Sequence, residues 1–287
     1  MRMLQGRITS LISHCALFLT GTLLAVQTVS ADVLRVAVAS NFRPVVQELA
    51  DSFSRQTGHR VTLSSASSGV LYNQIVHGAP FDVFLSADSE RPAMLEKEGK
   101  LVGKPQTYAY GRLVFWQPLN AKPDYQTITE WRGRIAIANP ETAPYGLAAK
   151  QVLEHFHLWG DSRIQLLQGA NIQQAWQFVA TGNVRAGFVA LAQLRADKID
   201  SGYLLLRDEL YTPIRQDAAV IAGSKNQPLA EQFVRFLLDN AQQAFIQDAG
   251  YYPVRDVQPT RDAQPVVEPN AGSESKIEST YTQVYKG

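Results

Sequence analysis

A unit of strand, short polar loop and helix recurs along this chain, and that alternation restricts the fold more than any other feature. Val33–Ala39 alternates around Arg35 as a strand, the chain turns at Ser40-Asn41, and a helix follows with Pro44 near its first position. Val46, Leu49, Ala50 and Phe53 share one face of that helix. The same order returns at residues 61–65, at Ser67-Ser68-Gly69 and at 70–77, and again at 81–86 ahead of a helix around Met94. Alternating units of this kind build a mostly parallel sheet covered by helices. A second series starts after Arg112, with strands at Leu113–Trp116, 134–138, 164–167 and 186–189. Its helices fall at 147–156, reached through the turn-rich run 139–146, and at 173–180, opened by Ala170-Asn171-Ile172. A last strand at 218–222 precedes one long amphipathic helix over 228–247, which carries Phe233, Phe236, Leu237 and Phe245.

Two such series exceed what one small sheet holds, so the sequence predicts an α/β fold of two lobes. Each lobe is a mixed, mostly parallel sheet flanked by helices, with a hinge between them. The chain crosses near Arg112 and returns near Ile214, which assigns 32–112 with 216–254 to the first lobe and 113–215 to the second. Residues 1–31 read as an export signal: Arg2 and Arg7 open it, an apolar run follows, and Val29-Ser30-Ala31 closes it, with cleavage before Asp32. His14, Cys15, Thr20 and Thr22 interrupt the apolar run and argue against a membrane anchor. The protein is therefore expected in the periplasm. Cys15 is the one cysteine, so the exported chain has no thiol for a disulfide, a thiolate metal site or a nucleophile. Losing Arg2 and Arg7 takes the formal net charge from +1 to −1, and without a basic run nucleic acid is not an expected partner. Beyond Tyr252 the composition turns to Pro, Gln, Glu, Ser and Thr, and 255–287 reads as a flexible tail.

Three of the loops that precede helices, Ser40-Asn41, Ser67-Ser68-Gly69 and Asn171-Ile172, are rich in small or hydroxyl-bearing residues. A helix start offers unpaired N–H groups and the positive end of the helix dipole, which attract anions. For any one loop, ordinary capping explains Ser or Asn equally well. Repetition across both lobes, where loops converge on one cleft, favours an anion. Arg43 is the only cation near these loops, so the donors are neutral. A compact dianion taking about seven hydrogen bonds at roughly 1.5–3 kcal/mol each has ample gross attraction, since micromolar binding needs only about 8 kcal/mol net.

Four runs, in order, resemble the periplasmic molybdate-binding protein family: Val36-Ala37-Val38-Ala39-Ser40-Asn41-Phe42, Ala66-Ser67-Ser68-Gly69-Val70-Leu71, the stretch from Gly78-Ala79-Pro80 to Ser86-Ala87-Asp88, and Asn139-Pro140-Glu141-Thr142-Ala143-Pro144-Tyr145-Gly146. The resemblance implies a type II-like periplasmic-binding fold and a solute-binding protein of an ABC importer. Such a protein acts with a permease and an ATPase subunit, as a monomer, with no cofactor and no catalysis. It implies an oxyanion, molybdate or tungstate, held by Ser40, Ser68 and the amides of Tyr145 and Ile172, with no direct protein ligation of the metal. Many members place a ligand-binding tyrosine where this chain has Ala190, while another branch uses an asparagine beside the first-loop hydroxyl and a tyrosine in the Pro-x-Gly turn. Asn41 and Tyr145 match that branch.

Other readings fit parts of the sequence. A sulfate-like oxyanion suits the same neutral donors. Tyr251-Tyr252 resembles a tyrosinate pair for Fe(III), against core packing after Gly250. A periplasmic serine hydrolase would use Ser68 with a base among His59, His77, His155 and His157, but the Gly-x-Ser-x-Gly elbow is missing. Trp116, Trp131, Trp159 and Trp176 could stack on a sugar, although their positions read first as core. Asp82 and Asp88 read as one that caps or solvates the strand start and one that begins the next helix, rather than as a carboxylate pair.

Overall fold

The computed structural model describes residues 32–254; the expected leader over 1–31 and tail over 255–287 lie outside the described residues. Strands β1 (Val33–Ala39), β2 (Arg60–Ala66), β3 (Val83–Leu85), β4 (Leu101–Gly111) and β10 (Ile214–Ile221) form one sheet in the order β2-β1-β3-β10-β4. Strands β5 (Leu113–Trp116), β6 (Gly133–Ala138), β7 (Ile164–Gly169), β8 (Gly187–Ala190) and β9 (Tyr203–Leu205) form the other, in the order β7-β6-β8-β5-β9. The two sheets share one plan. In each, three neighbouring strands run parallel, and the first strand after the chain changes sheet, β10 or β5, inserts antiparallel beside them. The chain leaves the first sheet between Gly111 and Leu113 and re-enters it at Ile214.

Helices α1 (Arg43–Thr57), α2 (Ser68–Val76), α3 (Glu90–Lys97), α4 (Tyr125–Thr129), α5 (Pro144–His155), α6 (Ile172–Ala180), α7 (Leu191–Ala196), α8 (Gln227–Leu238) and α9 (Asn240–Asp248) flank the sheets. The expected α/β architecture of two mixed sheets with covering helices is what the structure has. Among the described residues no helix is long and apolar enough to cross a membrane.

The first helix shows how local sequence sets packing. Pro44 stands at its start, where a missing N–H costs nothing. Val45, Val46, Leu49, Ala50 and Phe53 form its buried face, and Gly58 stops it in a left-handed conformation, φ 76°, with its N–H on the Ser54 carbonyl. Phe53 packs edge-on against Phe233 and Phe236 of α8, with ring centroids 5.1 and 5.3 Å away. Burying each such side chain contributes about 1.5–3 kcal/mol, which fixes α1 and hence the Ser40 loop ahead of it.

One expectation is corrected and another narrowed. The single helix predicted over 228–247 is two helices, broken at Asp239, whose backbone is extended at φ −66°, ψ 149°. Asp and Asn favour caps over helix interiors because their side chains compete for the backbone, and the bend at Asp239-Asn240 lets Ile246 be buried completely. Of the two roles open to Asp82 at its strand start, capping and solvation, its 3 % exposure rules out solvation. Its carboxylate accepts the Arg35 N–H at 2.7 Å and the Ser224 hydroxyl at 2.6 Å, tying β1 to the turn after β10.

Candidate functional site

The loops that leave β1, β2, β6 and β7 all lie at the carboxyl ends of parallel strands, where open α/β sheets bind ligands. Their placement is the same in both sheets. Ala39 pairs with Ala66, and the next residue, Ser40, donates its N–H to the Ala66 carbonyl at 3.0 Å. Ala138 pairs with Gly169, and Asn139 donates to the Gly169 carbonyl at 2.8 Å.

These loop pairs touch across the gap between the sheets. Gly69 at the start of α2 donates its N–H to the Thr142 carbonyl at 2.9 Å. A Cβ on Gly69 would stand 3.1 Å from that oxygen, so the approach suits glycine. Beside it Arg91 Nη2 donates to the Glu141 carbonyl at 3.0 Å, with the guanidinium held by the Asp88 carboxylate at 2.5 Å. Asp88 thus opens α3 by accepting the Arg91 N–H at 2.9 Å, as expected of a helix start, and also aims that arginine at the other sheet.

The residues singled out in the sequence sit in these loops or at the helix starts that follow them. Ser68 is fully buried, and its Oγ accepts the Ala87 N–H at 2.9 Å, which leaves the hydroxyl proton to give. The N–H groups of Ser68, Tyr145 and Ile172 belong to the first turns of α2, α5 and α6, where a helix supplies no acceptor of its own. Asn171 caps α6 by accepting the Gln174 N–H at 3.0 Å, which orients the Ile172 amide outward along the helix axis. Ser40 and Asn171, from different sheets, both line a cleft of about 830 Å³ whose walls carry Gln47, Ser65, Gln174 and Gln177. Arg43 sits exposed on the same cleft. Ser68, Tyr145 and Ile172 are all under 4 % exposed.

Behind the loops is a polar cluster that sequence reasoning missed. Asn41 Nδ2 donates to Gln216 Oε1 at 3.0 Å and to the Tyr251 hydroxyl at 3.2 Å. Tyr251 in turn donates to the Asn41 carbonyl at 2.9 Å, so it must accept from the carboxamide, and this fixes the carboxamide's orientation. Both carboxamide protons of Asn41 are therefore taken within the protein. Gln216 also accepts from the Tyr108 hydroxyl at 2.9 Å and gives its own Nε2 proton to the Tyr145 hydroxyl at 3.4 Å. Burial pushes the phenols of Tyr108, Tyr145 and Tyr251 well above the ordinary tyrosine range, so all three stay neutral. The signal available in the sequence was the polar run Arg215-Gln216-Asp217 ahead of the apolar remainder of one strand.

Comparison with known proteins places this geometry. The model of the family described as bacterial extracellular solute-binding protein matches residues 34–252. The chain belongs to this family. The "Molybdate-binding protein ModA" of Azotobacter vinelandii is 42% identical over 252 residues, covering 84% of this chain and 97% of that protein. The protein of the same name from Rhodobacter capsulatus is 37% identical, covering 79% of this chain and 91% of its own. The solved periplasmic molybdate-binding protein of A. vinelandii superposes with a TM-score of 0.70 at 39% identity, over 76% of this chain and 98% of its own. The resemblance read from the four sequence runs, and the two-lobed binding-protein fold it implied, are borne out.

Ala190, where the resemblance implied a tyrosine in many members, is tied to the start of α6. Ala190 is fully buried and gives its N–H to Gln193 Oε1 at 3.0 Å, while Gln193 Nε2 reaches the Ile172 carbonyl at 3.2 Å. The strand-end residue thus supports the α6 start through a buried glutamine. Tyr251 and Tyr252 do not form a ligand pair: Tyr251 points to Asn41, whereas Tyr252 pairs with Tyr110 through the backbone and lies under the Arg112 guanidinium at 4.4 Å. The raised pKa of Tyr251 opposes the phenolate that Fe(III) needs. His59 takes the Asp32 N–H and His77 contacts the Asn73 carbonyl, both away from Ser68. Trp116 stacks on Trp176 at 6.1 Å and Trp131 edges Phe115, as packed residues do.

Proposed function

We propose that this protein is the periplasmic solute-binding component of an ABC importer and that it binds molybdate, with tungstate as an alternative, between its two lobes. The observation that supports this most is the set of four equivalent loops, two per sheet, which offer hydroxyl and N–H donors and no cation of their own at depth. The two relatives named as molybdate-binding proteins support the choice of oxyanion. Ser40 and Ser68 give hydroxyl protons, and Asn41, Ser68, Tyr145 and Ile172 give main-chain N–H groups. Each bond to a charged acceptor is worth about 1.5–3 kcal/mol in place of water. The Tyr145 phenol and Asn41 carboxamide act behind the anion rather than on it.

In this reading residues 32–112 with 216–254 form one lobe and 113–215 the other. They rotate about the two crossings, near Arg112 and Ile214, and close over the dehydrated anion. The closed monomer then presents the solute to a membrane permease driven by an ATPase subunit, and no bond is made or broken. Selectivity over sulfate comes from cavity size and fixed donor directions, because charge and shape are alike.

Calorimetric titration with molybdate, tungstate, sulfate, phosphate and Fe(III) tests the proposal. Micromolar or tighter molybdate or tungstate binding, about 8 kcal/mol or more, with sulfate much weaker, is the expected result. Coloured Fe(III) binding without oxyanion binding would move the assignment to an iron carrier. Because every proposed donor is neutral and the nearby phenols have raised pKa values, affinity is also expected to stay flat between about pH 6 and pH 9. A loss of affinity as pH rises through about 6.5 would place a histidine cation in the site instead.

A further inference from the structure

We propose that Gln216 is a positioning residue for the anion site, joining the loop of one lobe to that of the other so that the donors are correctly placed only in the closed protein. This rests on the binding reading above and adds to it a residue that touches no ligand.

Three separate observations carry it. Gln216 is 0 % exposed, and its carboxamide joins Asn41 and Tyr108, on the first sheet's side, to Tyr145, on the second's. Next, β10 changes register against β4 between Gln216, opposite Ala109, and Asp217, opposite Thr107. Such an irregularity re-aims a side chain out of the regular alternation, and these features gather at functional sites. Finally, Gly111 leaves the room this contact occupies. A Cβ there would stand 2.3 Å from the Tyr145 hydroxyl and 2.8 Å from Gln216 Nε2. The glycine's φ is not in the left-handed region, so its role here is space, not backbone freedom.

The orientation of each amide follows from its neighbours. Asn41 presents an N–H to Gln216, so Gln216 must turn Oε1 toward it and Nε2 toward Tyr145. Tyr145 is thereby anchored by its phenol while its main-chain N–H, at the start of α5, is left for the anion. The same glutamine fixes Asn41, whose main-chain N–H lies beside Ser40. The Gln216–Tyr145 bond spans the two sheets, so opening the lobes must break it. Energy gained in this bond therefore slows opening, and with it release of the anion, while leaving capture by the open form little changed.

The test is stopped-flow tryptophan fluorescence with sodium molybdate on wild type, Gln216→Leu, Tyr145→Phe and the double variant, with melting temperatures measured alongside. Tyr145→Phe keeps the main-chain donor and removes only the phenol. Tyr145→Phe is expected to release molybdate about tenfold faster, the effect of losing one buried hydrogen bond and leaving its partner unpaired, and Gln216→Leu at least that much, because it also drops the bonds from Asn41 and Tyr108; association should change less than about threefold in both. The double variant should release little faster than Gln216→Leu, because the one bond that Tyr145→Phe removes is already lost there. Strictly additive effects, or a slowed association with unchanged release, would overturn the role. If Gln216→Leu does not fold, Tyr145→Phe decides alone: unchanged release in that variant overturns it. Binding of molybdate by wild type with release untouched in the variants sinks this inference and spares the functional reading. Failure of wild type to bind any oxyanion overturns both.

Discussion

Replacing Ser68 with alanine is expected to raise the dissociation constant for molybdate about ten- to a hundredfold, the equivalent of one charge-assisted hydrogen bond of roughly 1.5–3 kcal/mol. The hydroxyl has a double engagement that makes it sensitive. It receives the Ala87 N–H at 2.9 Å, so its lone pair is satisfied and its proton is directed elsewhere. Alanine removes the donor to the anion and also orphans the Ala87 amide, in the run between β3 and α3. The second loss costs stability, about 1 kcal/mol, and should lower the melting temperature by about 2–4 °C in a protein of this size. Calorimetry and thermal unfolding on the same preparation separate the two effects. An unchanged dissociation constant beside a lowered melting temperature would make Ser68 a structural residue only.

A larger effect on the fold is expected from Gly146→Val. A Cβ at residue 146 would stand 2.4 Å from the Ala138 carbonyl oxygen and 2.8 Å from the Ala138 and Asn139 carbonyl carbons. Those are backbone atoms at the end of β6, so they cannot step aside as a flexible side chain would. Relief requires α5 to lift off the sheet, which carries the neighbouring Tyr145 away from Gln216 and Asn41. A loss of about 3 kcal/mol or more in unfolding free energy is expected, together with loss of measurable molybdate binding. Denaturant unfolding and titration check both, and a variant with wild-type stability would show that the turn between β6 and α5 has slack.

The sequence disclosed those parts of the structure that depend on local periodicity. The alternation of Val33–Ala39, the Pro44 start of α1 and the runs that became β5, β6 and β8 could be read because side-chain period and capping act over a few residues. Strand β4 was not legible: Gly103, Lys104, Pro105, Gln106 and Thr107 break the expected pattern, and the strand exists because β10 pairs along it. The break at Asp239 was hidden by continuous amphipathic spacing on either side of it. At the site, the loops at Ser40, Ser68 and Ile172 announced themselves by position ahead of helices, whereas Tyr145 came from the family resemblance alone. Gln216 did not, because its partners Asn41 and Tyr145 lie 175 and 71 residues away and only tertiary packing brings them together. Asp88 was read for its helix start alone; its hold on Arg91, and through it on Glu141, depends on where the second sheet sits.

The central claim is that one oxyanion sits between the sheets, on donors from four loops. Diffraction from crystals grown with molybdate, recorded at the molybdenum absorption edge, locates the metal without reference to the protein density. The account predicts a single anomalous peak whose oxygens lie within hydrogen-bonding distance, about 2.7–3.2 Å, of the Ser40 and Ser68 hydroxyls and the Tyr145 and Ile172 amides. A peak elsewhere, for example beside Arg43 on the open cleft with those four groups untouched, would contradict it.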